Sequence, residues 1–482
     1  MNRHIKKSIA VLVTAFLLIS AGCKDYFDLA DNPNLVTDPP LRALLATTTH
    51  KTGLNNQRVA NITSYFVQYL ANPGAGASTD TYQVTDYTAT WDNLYYAMAD
   101  IYDMKQKAIA EEASEYHGVA DVLMSYHLSL VSDLWGSAPY SDAFTGQTLT
   151  PAYDTEEELY AEALRLLDEA VTELNKTDSR IALSAPDDFI HGGDRVQWIK
   201  TAYALKARLL NKISRKANYD PAAVLEAVAN SYGSNADDAQ MASFQIRNPW
   251  AQIAQDNSQL LLGGWLSEQF VDHLNGTSYG VFDPRIRKIT DPTVVPGNPG
   301  YPAFIGTVNG AGNRQNPPHT NTVKDENYIS RNSPWTSDNA PIFIATFAEL
   351  KLIEAEAALR AGDPARAYTA YLAGITANMD KLEVPVAERD AYLADPAVAV
   401  GAANLTLGHI FKEKYVVTYL NPEAWNDARR FDYQYADFGL PVNAALSNFI
   451  RRVTYPVGET SKNGSNVPPE VSMDTALWWD QP

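Results

Sequence analysis

The sequence has one cysteine, Cys23, among its 482 residues. A secreted protein that used disulfides structurally would carry cysteines in pairs, so a disulfide-stapled fold is excluded. Long apolar runs are also missing. The stretch from Ile9 to Ile19 is about half of the roughly 20 residues that a bilayer span requires, and no later stretch is longer and as apolar. A transmembrane protein is therefore not indicated.

Several signatures of catalysis are absent as well. The eight histidines form no H-E-x-x-H pair, and no cysteines are available to complete a zinc site. There is no Gly-Lys dipeptide of a phosphate-binding loop, and no G-x-G-x-x-G run follows a predicted strand. We therefore predict no metal, no cofactor and no enzymatic activity.

Two weaker patterns resemble catalytic motifs but do not support an enzymatic activity. The pentapeptide Gly276–Gly280 matches a nucleophile elbow in letters, but a helical pattern precedes it and Pro284 soon follows, whereas an elbow needs a strand before the serine and a helix after it. The Asp-Asp pairs at 187–188 and 237–238 would suit a glycosidase only if their carboxylates were correctly spaced in the fold. In a chain with 57 acidic residues we interpret them as solvated surface charge.

Basic residues are scarce. The chain has 38 Lys and Arg against 57 Asp and Glu, and removal of residues 1–22 would take away three basic residues and no acidic ones, leaving a formal charge of −22. Phosphate binding depends on clustered Lys and Arg, so nucleic acid is excluded as a partner. Tyr and Trp are plentiful, at 27 and 9 residues, and their rings suit stacking on sugars, although most are expected in the core.

The N-terminus has the layout of an export signal. Arg3, Lys6 and Lys7 precede the apolar run, which ends in small residues directly before Cys23. We predict a signal peptide over residues 1–22.

The position of Cys23 resembles a bacterial lipobox, in which the cysteine becomes an acylated, for example palmitoylated, first residue of the mature protein. The match departs at Ser20, where leucine is commoner. Residues 23–40 are polar and contain three prolines, which predicts a tether between the lipid and the folded body. The remaining residues, 41–482, are predicted to form a single domain.

Helical periodicity dominates that domain. Apolar stripes predict helices over the following ranges: 41–70 with an interruption near Gly53, 91–113, 116–134, 155–174 with Thr155 as N-cap, and 196–214. Residues 347–375 predict a helical hairpin, because Gly362 stops one helix and Pro364 starts the next. The alanines of this hairpin permit close helix approach, as in tetratricopeptide-like pairs. The fold class is therefore all-α, on a tetratricopeptide-like scaffold of helical hairpins.

Glycine, proline and asparagine interrupt the pattern between about residues 245 and 341, where only 260–274 is predicted to be helical. Long loops inside compact proteins are usually functional or disordered, and this loop-rich insert is also rich in aromatic residues. The segment 71–78, before Tyr82, is a second candidate loop, and the region from Val453 is a third.

Four segments together resemble the SusD/RagB family of surface glycan-binding lipoproteins, in its SusD-like branch. Residues 134–144 are similar to the family's L-[YW]-G-x-x-P-Y-x-x-A segment, and 425–431 to its W-x-D-x-R-R stretch. Residues 452–463 resemble R-x-x-Y-P-x-x-E-x-x-x-N, and 282–285 contain its D-P-R turn. We interpret these motifs as scaffold, in which Arg429, Arg430, Arg452 and Glu459 form bidentate ion pairs.

The resemblance implies a lid over a SusC-like TonB-dependent transporter of the outer membrane, facing outside, that captures oligosaccharides and delivers them without chemical change. A peptide or other nutrient as cargo, or less favourably a surface glycosidase, remains an alternative. No family motif marks the ligand, so the predicted site comes from this chain's own loops. Stacking is assigned to Tyr82, Trp250, Tyr301 and Trp335, and hydrogen bonding to Asn313, Arg314 and Asn316. For Trp91, core packing is the preferred interpretation.

Overall fold

A computed structural model describes residues 38–258, 263–293, 302–314 and 326–482. Cys23, the signal peptide and most of the tether lie outside the described residues. Within them the protein is helical, with fifteen α-helices and four short strands. The helices are α1 Leu41–Phe66, α2 Thr88–Ala110, α3 Ser114–Trp135, α4 Glu156–Leu174, α5 Arg195–Lys212, α6 Pro221–Ala229, α7 Pro249–Ser258, α8 Glu268–Asn275, α9 Ile286–Ile289, α10 Phe347–Arg360, α11 Pro364–Lys381, α12 Val386–Ala394, α13 Leu407–Val417, α14 Glu423–Arg430 and α15 Val457–Lys462.

The strands form two small antiparallel pairs that tie distant parts of the chain together. Strand β1, Leu70–Ala71, pairs with β3, Trp265–Leu266. Strand β2, Ala239–Met241, pairs with β4, Ile342–Ala345. The β2–β4 pair therefore brings the two ends of the loop-rich insert together, and the β1–β3 pair ties the interior of the insert to the chain after α1.

Successive helices pack side by side. Helix α1 contacts α2, α2 contacts α3, and the series continues through α4, α5 and α6 to α10 and α11. One large cluster of buried apolar side chains extends through these helices, from Leu41 to Met473. This confirms the predicted all-α, tetratricopeptide-like scaffold.

The predicted hairpin is confirmed in its details. Gly362 has a φ of +80°, a left-handed conformation that glycine adopts without strain. Asp363 then caps α11 by accepting a hydrogen bond from the Arg366 N–H, and Pro364 occupies the first helical turn. Helices α4 and α5, which match the predicted ranges 155–174 and 196–214, also pack together, and Thr155 caps α4 in a capping box with Glu158.

The predicted interruption at Gly53 is wrong. Helix α1 runs through this position without a break, and the glycine is needed for packing instead. A Cβ at Gly53 would lie 2.5 Å from Cε of Met241, so the missing side chain makes room for strand β2.

The insert contains more helix than predicted. Helices α7 and α9 were not expected, and the helix predicted over 260–274 starts at Glu268, with Ser267 as its N-cap. Helices of 10, 8 and 4 residues are too short for an apolar period to stand out from the surrounding glycines and prolines.

The recognised motifs hold the scaffold together, as predicted. Both terminal nitrogens of Arg430 bond the carboxylate of Glu356, at 2.7 and 3.0 Å, and one of them also bonds Asp427 at 2.7 Å. All three side chains are at least 99% buried. Arg452 reaches Glu156 at 2.8 Å. These ion pairs join helices that are far apart in the chain.

Two members of the motifs act differently from the prediction. Arg429 donates to the backbone carbonyls of Asp133 and Arg451, at 2.8 and 2.7 Å, and its guanidinium lies 3.7 Å from the centre of the Trp425 ring. Glu459 accepts a hydrogen bond from Asn463 rather than from an arginine. Backbone carbonyls at helix ends and turns are strong acceptors, and sequence motifs do not reveal where they point.

Candidate functional site

The polar loop after strand β1 packs directly against the insert. Gly76 donates its N–H to the carbonyl of Gly310 at 2.9 Å, and Asn313 donates its N–H to the carbonyl of Pro73 at 3.0 Å. The sequence indicated these two loops separately, and the structure makes them one surface. We define the loop junction as three segments that touch one another, residues 72–87, 302–314 and 439–446.

Two glycines allow the backbones of the loop junction to approach closely. Gly310 and Gly312 have φ angles of +81° and +73°. A Cβ at Gly310 would lie 2.1 Å from the carbonyl oxygen of Val442, and one at Gly312 would lie 2.6 Å from that of Pro73. No side chain fits in either place, so the junction is held by backbone contact.

Asp80 lies at the centre of the loop junction and is fully buried. Its Oδ2 accepts the N–H groups of Asn72, at 2.9 Å, and of Gly310, at 3.1 Å. Its Oδ1 has no hydrogen-bond partner in the described parts of the chain. Burial raises the pKa of this carboxyl to about 6, although the two N–H groups oppose the shift. The junction therefore contains a buried acid that titrates near neutral pH.

Glu326 anchors the other end of the same segment. It is 1% exposed and accepts hydrogen bonds from Thr307 Oγ1 at 2.5 Å, Asn313 Nδ2 at 2.6 Å and Arg314 Nη1 at 2.8 Å. Arg314 also forms an ion pair with Glu268. The structure thus places the predicted hydrogen-bonding residues Asn313 and Arg314 together, but both side chains are engaged in holding the insert in place.

Three of the four predicted stacking residues are in the core. Tyr82, Trp250 and Trp335 are 1%, 2% and 5% exposed, and Trp250 and Trp335 line the same small cavity. The Trp335 ring meets the Tyr419 ring edge-on, with 5.4 Å between ring centres. The expectation that these rings form an open stacking surface is corrected. A loop-rich insert must still bury apolar area against the scaffold, and its largest side chains do so.

The other two predicted ligand residues, Tyr301 and Asn316, lie outside the described residues. Trp91, for which core packing was preferred, is 5% exposed and lies 5.0 Å from Trp135, centre to centre. That interpretation is confirmed.

One aromatic pair at the surface was not among the ligand residues predicted from the sequence. Phe282 is 37% exposed, and the centre of its ring lies 5.9 Å from that of the half-buried Phe304. The guanidinium of Arg287 lies 4.6 Å from the Phe282 ring centre. Phe304 belongs to segment 302–314, so the aromatic pair and the loop junction share this segment of the chain. We use the name insert face for the loop junction together with Phe282, Arg287 and Phe304.

The D-P-R turn could have pointed to this pair. Asp283 and Arg285 are buried and form a bidentate ion pair, with Arg285 also bonded to Glu413. The turn is thereby fixed from inside, which leaves Phe282 on its outer side.

The described structure gives no support to the nucleophile-elbow match or to the Asp-Asp pairs as catalytic sites. Helix α8 precedes Ser278, and the next helix begins only at Ile286, so the elbow geometry is absent at this serine. The aspartates 188, 237 and 238 are not solvated, contrary to expectation: they are 4%, 6% and 5% exposed. Asp237 pairs with Lys200 and Asp238 with Lys381, because each carboxylate joins neighbouring elements.

The family of the protein follows from its sequence as well as from this fold. A family model described as starch-binding and associating with the outer membrane matches residues 33–456. The chain belongs to this SusD-like family. Members of the family are binding proteins rather than enzymes. No curated protein matches the chain. None of the described helices combines the length and apolar character needed to cross a bilayer.

Solved structures share the fold at low sequence identity. A SusD/RagB family protein from Bacteroides thetaiotaomicron is 21% identical, with 92% of this chain and 99% of that chain covered and a TM-score of 0.74. A chitin-binding SusD homolog from Flavobacterium johnsoniae is also 21% identical, with 90% and 98% covered and a TM-score of 0.73. A Bacteroidetes SusD-like protein has 19% identity, 92% and 100% coverage and a TM-score of 0.76.

Proposed function

We propose that this protein captures oligosaccharides on its insert face at the cell surface. It then delivers them to a SusC-like TonB-dependent transporter without changing them chemically. The observation that carries the proposal is the insert face itself, where backbone hydrogen bonds join three loop segments and one of them carries a ring of the Phe282–Phe304 pair. Family membership supports the same class of function, because the family is described as starch-binding.

The chemistry of the insert face suits a sugar. The Phe282 ring can stack on the apolar face of a pyranose. The Arg287 guanidinium beside it bonds Glu388 through Nη1, and its other N–H groups are donors for hydroxyl oxygens. Exposed Ser78, Gln83 and Asn443 of the loop junction supply further hydroxyl and amide groups. A largely backbone-built junction keeps these groups in place, which lowers the ordering cost of binding.

Starch and chitin are the polymers to test first. The family description names starch, and the Flavobacterium johnsoniae homolog is described as chitin-binding. Both polymers present alternating hydroxyls and pyranose faces. The hydroxyls and pyranose faces that the two polymers share suit the ring and donors of the insert face. A difference in binding between starch and chitin would show which of the two the protein prefers.

Affinity gel electrophoresis tests the proposal. The protein without residues 1–22 is run through gels with soluble starch, with glycol chitin, with no polymer, and with a peptide mixture as competitor. We expect at least one polysaccharide to retard the protein and peptides to leave this retardation unchanged. We also expect the protein to release no reducing sugar from the polysaccharide. Retardation abolished by peptides would favour peptide cargo. Reducing-sugar release that persists through repurification would establish a glycosidase and contradict the proposal.

The transporter partner is tested separately. Tagged protein is expressed in its native host, solubilised in mild detergent and purified, and a TonB-dependent barrel is expected to co-purify. Purification without any barrel, from cells grown on the bound polysaccharide, would contradict delivery while leaving glycan binding intact.

The anchor is proposed to be a lipid on Cys23, with residues 41–482 acting as one folded unit behind the tether. A short tether would keep the insert face at high local concentration beside its transporter. Cys23→Ala should move the protein from the membrane fraction to the soluble fraction while polysaccharide retardation stays unchanged. Retention of this variant in the membrane would contradict the lipid anchor.

A further inference from the structure

Away from the insert face, helices α3 and α4 bring four ionisable residues together. Helix α3 carries His117 and Asp121, which are one turn apart on the same side. Helix α4 carries Glu169 and Glu173, also one turn apart. The two helices pack against each other along their length, so the pairs face one another. Metal sites in helical bundles are built from side chains placed in this way.

Three ligand atoms of this cluster have the spacing of a metal's first shell. His117 Nε2 lies 3.3 Å from Asp121 Oδ2 and 3.4 Å from Glu169 Oε1. Ligands at the 2.0–2.1 Å typical of zinc stand about 3.3 to 3.4 Å apart in a tetrahedron. The spacing therefore fits one ion between the three atoms.

The imidazole nitrogen is aimed between the two carboxylates. His117 is 8% exposed, yet its Nε2 makes no hydrogen bond in the described structure, because neither close contact has hydrogen-bond geometry. Asp121 is completely buried, and its Oδ2 likewise makes no hydrogen bond. Buried polar atoms without hydrogen bonds are uncommon and call for an explanation. A cation held by all three atoms would satisfy them.

The remaining oxygens of the two carboxylates lie beside Lys105, which donates a hydrogen bond to Glu169 and forms an ion pair without hydrogen-bond geometry with Asp121. Lys105 Nζ lies 2.6 Å from Asp121 Oδ1 and 2.9 Å from Glu169 Oε2. These are the two oxygens that face away from His117. On the other side of the ring, Glu173 Oε2 lies 3.6 Å from His117 Nδ1. Outer partners of this kind position the ligands of metal sites and set the tautomer of the histidine.

The cluster is accessible from solvent. His117 and Glu173 line a cleft of about 420 Å³ between the end of α2, the start of α3 and the end of α4. Ser114 also lines this cleft, and its buried hydroxyl makes no hydrogen bond in the described structure. An ion could enter by this route and keep water as a further ligand.

We propose that His117, Asp121 and Glu169 bind a divalent transition metal that links α3 to α4. An imidazole with two carboxylates favours zinc over calcium or magnesium, which prefer oxygen ligands alone. No residue of the insert face lines this cleft. The alternative account of the cluster is a set of ion pairs around Lys105 and His117, and zinc titration separates the two.

The test uses the chain without residues 1–22, treated with EDTA and dialysed. Zinc is titrated by calorimetry in millimolar calcium and magnesium, and bound metal is counted after dialysis. We expect one zinc per chain, and His117→Gln and Glu169→Gln should each lower zinc affinity at least tenfold. Glu169 is partly exposed, so its variant keeps the fold even if the His117 variant does not.

His409→Gln is the matched control. His409 is a partly buried residue in the first turn of α13, and its ring nitrogen accepts the N–H of the N-cap Thr406. Glutamine preserves that capping box, so this variant should bind zinc like the original protein. Circular dichroism before zinc addition verifies that each variant is folded. Absence of stoichiometric zinc in the original protein would overturn the proposal. Equal zinc affinity in folded His117→Gln, Glu169→Gln and His409→Gln would also overturn it.

Discussion

The helical scaffold and the insert face use the same residue types in opposite ways. Arg430 of the scaffold is buried and surrounded by Glu356 and Asp427, whereas Arg287 of the insert face is exposed and lies beside Phe282. Arg287 also bonds Glu388 at 2.6 Å, but its side chain is 51% exposed and can still reach a ligand, whereas the side chain of Arg430 is enclosed by the scaffold. The comparison teaches that recognisable motifs mark the first kind of site, while the second kind carries no motif.

Aromatic residues show the same contrast. Trp135 and Trp425 of the motifs are buried, and so are Trp250 and Trp335 of the insert. Among the described aromatic residues of the insert, the smaller Phe282 is the most exposed, at 37%. The large rings that the structure describes there pack in the core, and the proposed ligand surface is built from backbone, small polar groups and one aromatic edge.

The largest effect is expected from the buried ion network. Arg430→Met leaves the buried carboxylate of Glu356 without its main partner, and we expect a loss of about 3–5 kcal/mol in the free energy of unfolding. Arg430 holds the pKa of Glu356 far below its usual range, which shows how strongly the charged pair is coupled. Urea unfolding measures the loss.

The matched control lies in the insert. Arg331→Met removes an exposed ion pair with Asp338 and should cost under about 1 kcal/mol. Equal losses of unfolding free energy in Arg430→Met and Arg331→Met would contradict the distinction between scaffold and insert.

A second prediction concerns the buried tryptophans of the insert. Trp250→Ala should lower the free energy of unfolding by about 3–4 kcal/mol, because it creates a cavity beside Trp335. The folded variant should retain polysaccharide retardation within about twofold, since neither ring faces solvent. If a folded Trp250→Ala protein bound no polysaccharide, the prediction would be contradicted and Trp250 would belong to the ligand site.

The third prediction is a pH dependence at the loop junction. The pKa of Asp80, about 6 in the folded state, lies above its ordinary value of 3.8, so the folded chain binds this proton more tightly than the unfolded chain. The stabilisation is fully present below about pH 4 and is lost as pH rises through 6. At about 1.4 kcal/mol per pK unit, the loss is roughly 3 kcal/mol.

Asp80→Asn tests this directly, because asparagine keeps the acceptor oxygen and cannot ionise. Relative to the original protein, the variant should gain about 2–3 kcal/mol in unfolding free energy between pH 4 and 7. Parallel stability curves for the two proteins would contradict a buried, titrating Asp80.

Much of the fold could be predicted from the sequence. Apolar stripes and caps such as Thr155 and Asp363 define long helices locally, and their hairpin packing follows from short connections. The insert could not be predicted in this way. Its helices are too short to show a period, and its shape depends on strands β1 and β3, which pair residues almost 200 positions apart.

The proposed site was predictable only as a region. Loop composition indicated the loop 71–78 and the insert as candidates, but not that Gly310 brings their backbones together. The burial of Trp335 and the exposure of Phe282 depend on packing against residues distant in sequence. The cluster around His117 was missed for a similar reason, because its ligands are divided between two helices and match no contiguous motif.

The most direct test of the account compares two exposed aromatic residues. Phe282→Ala removes the ring of the insert face, and Tyr96→Ala removes a ring that is 62% exposed on helix α2 of the scaffold. Dissociation constants for the retarding polysaccharide are measured from affinity gels at several polymer concentrations. The account predicts a loss of about tenfold, or roughly 1.4 kcal/mol, for Phe282→Ala and under twofold for Tyr96→Ala. Unchanged affinity in Phe282→Ala, or a greater loss in Tyr96→Ala, would contradict the insert face as the ligand site.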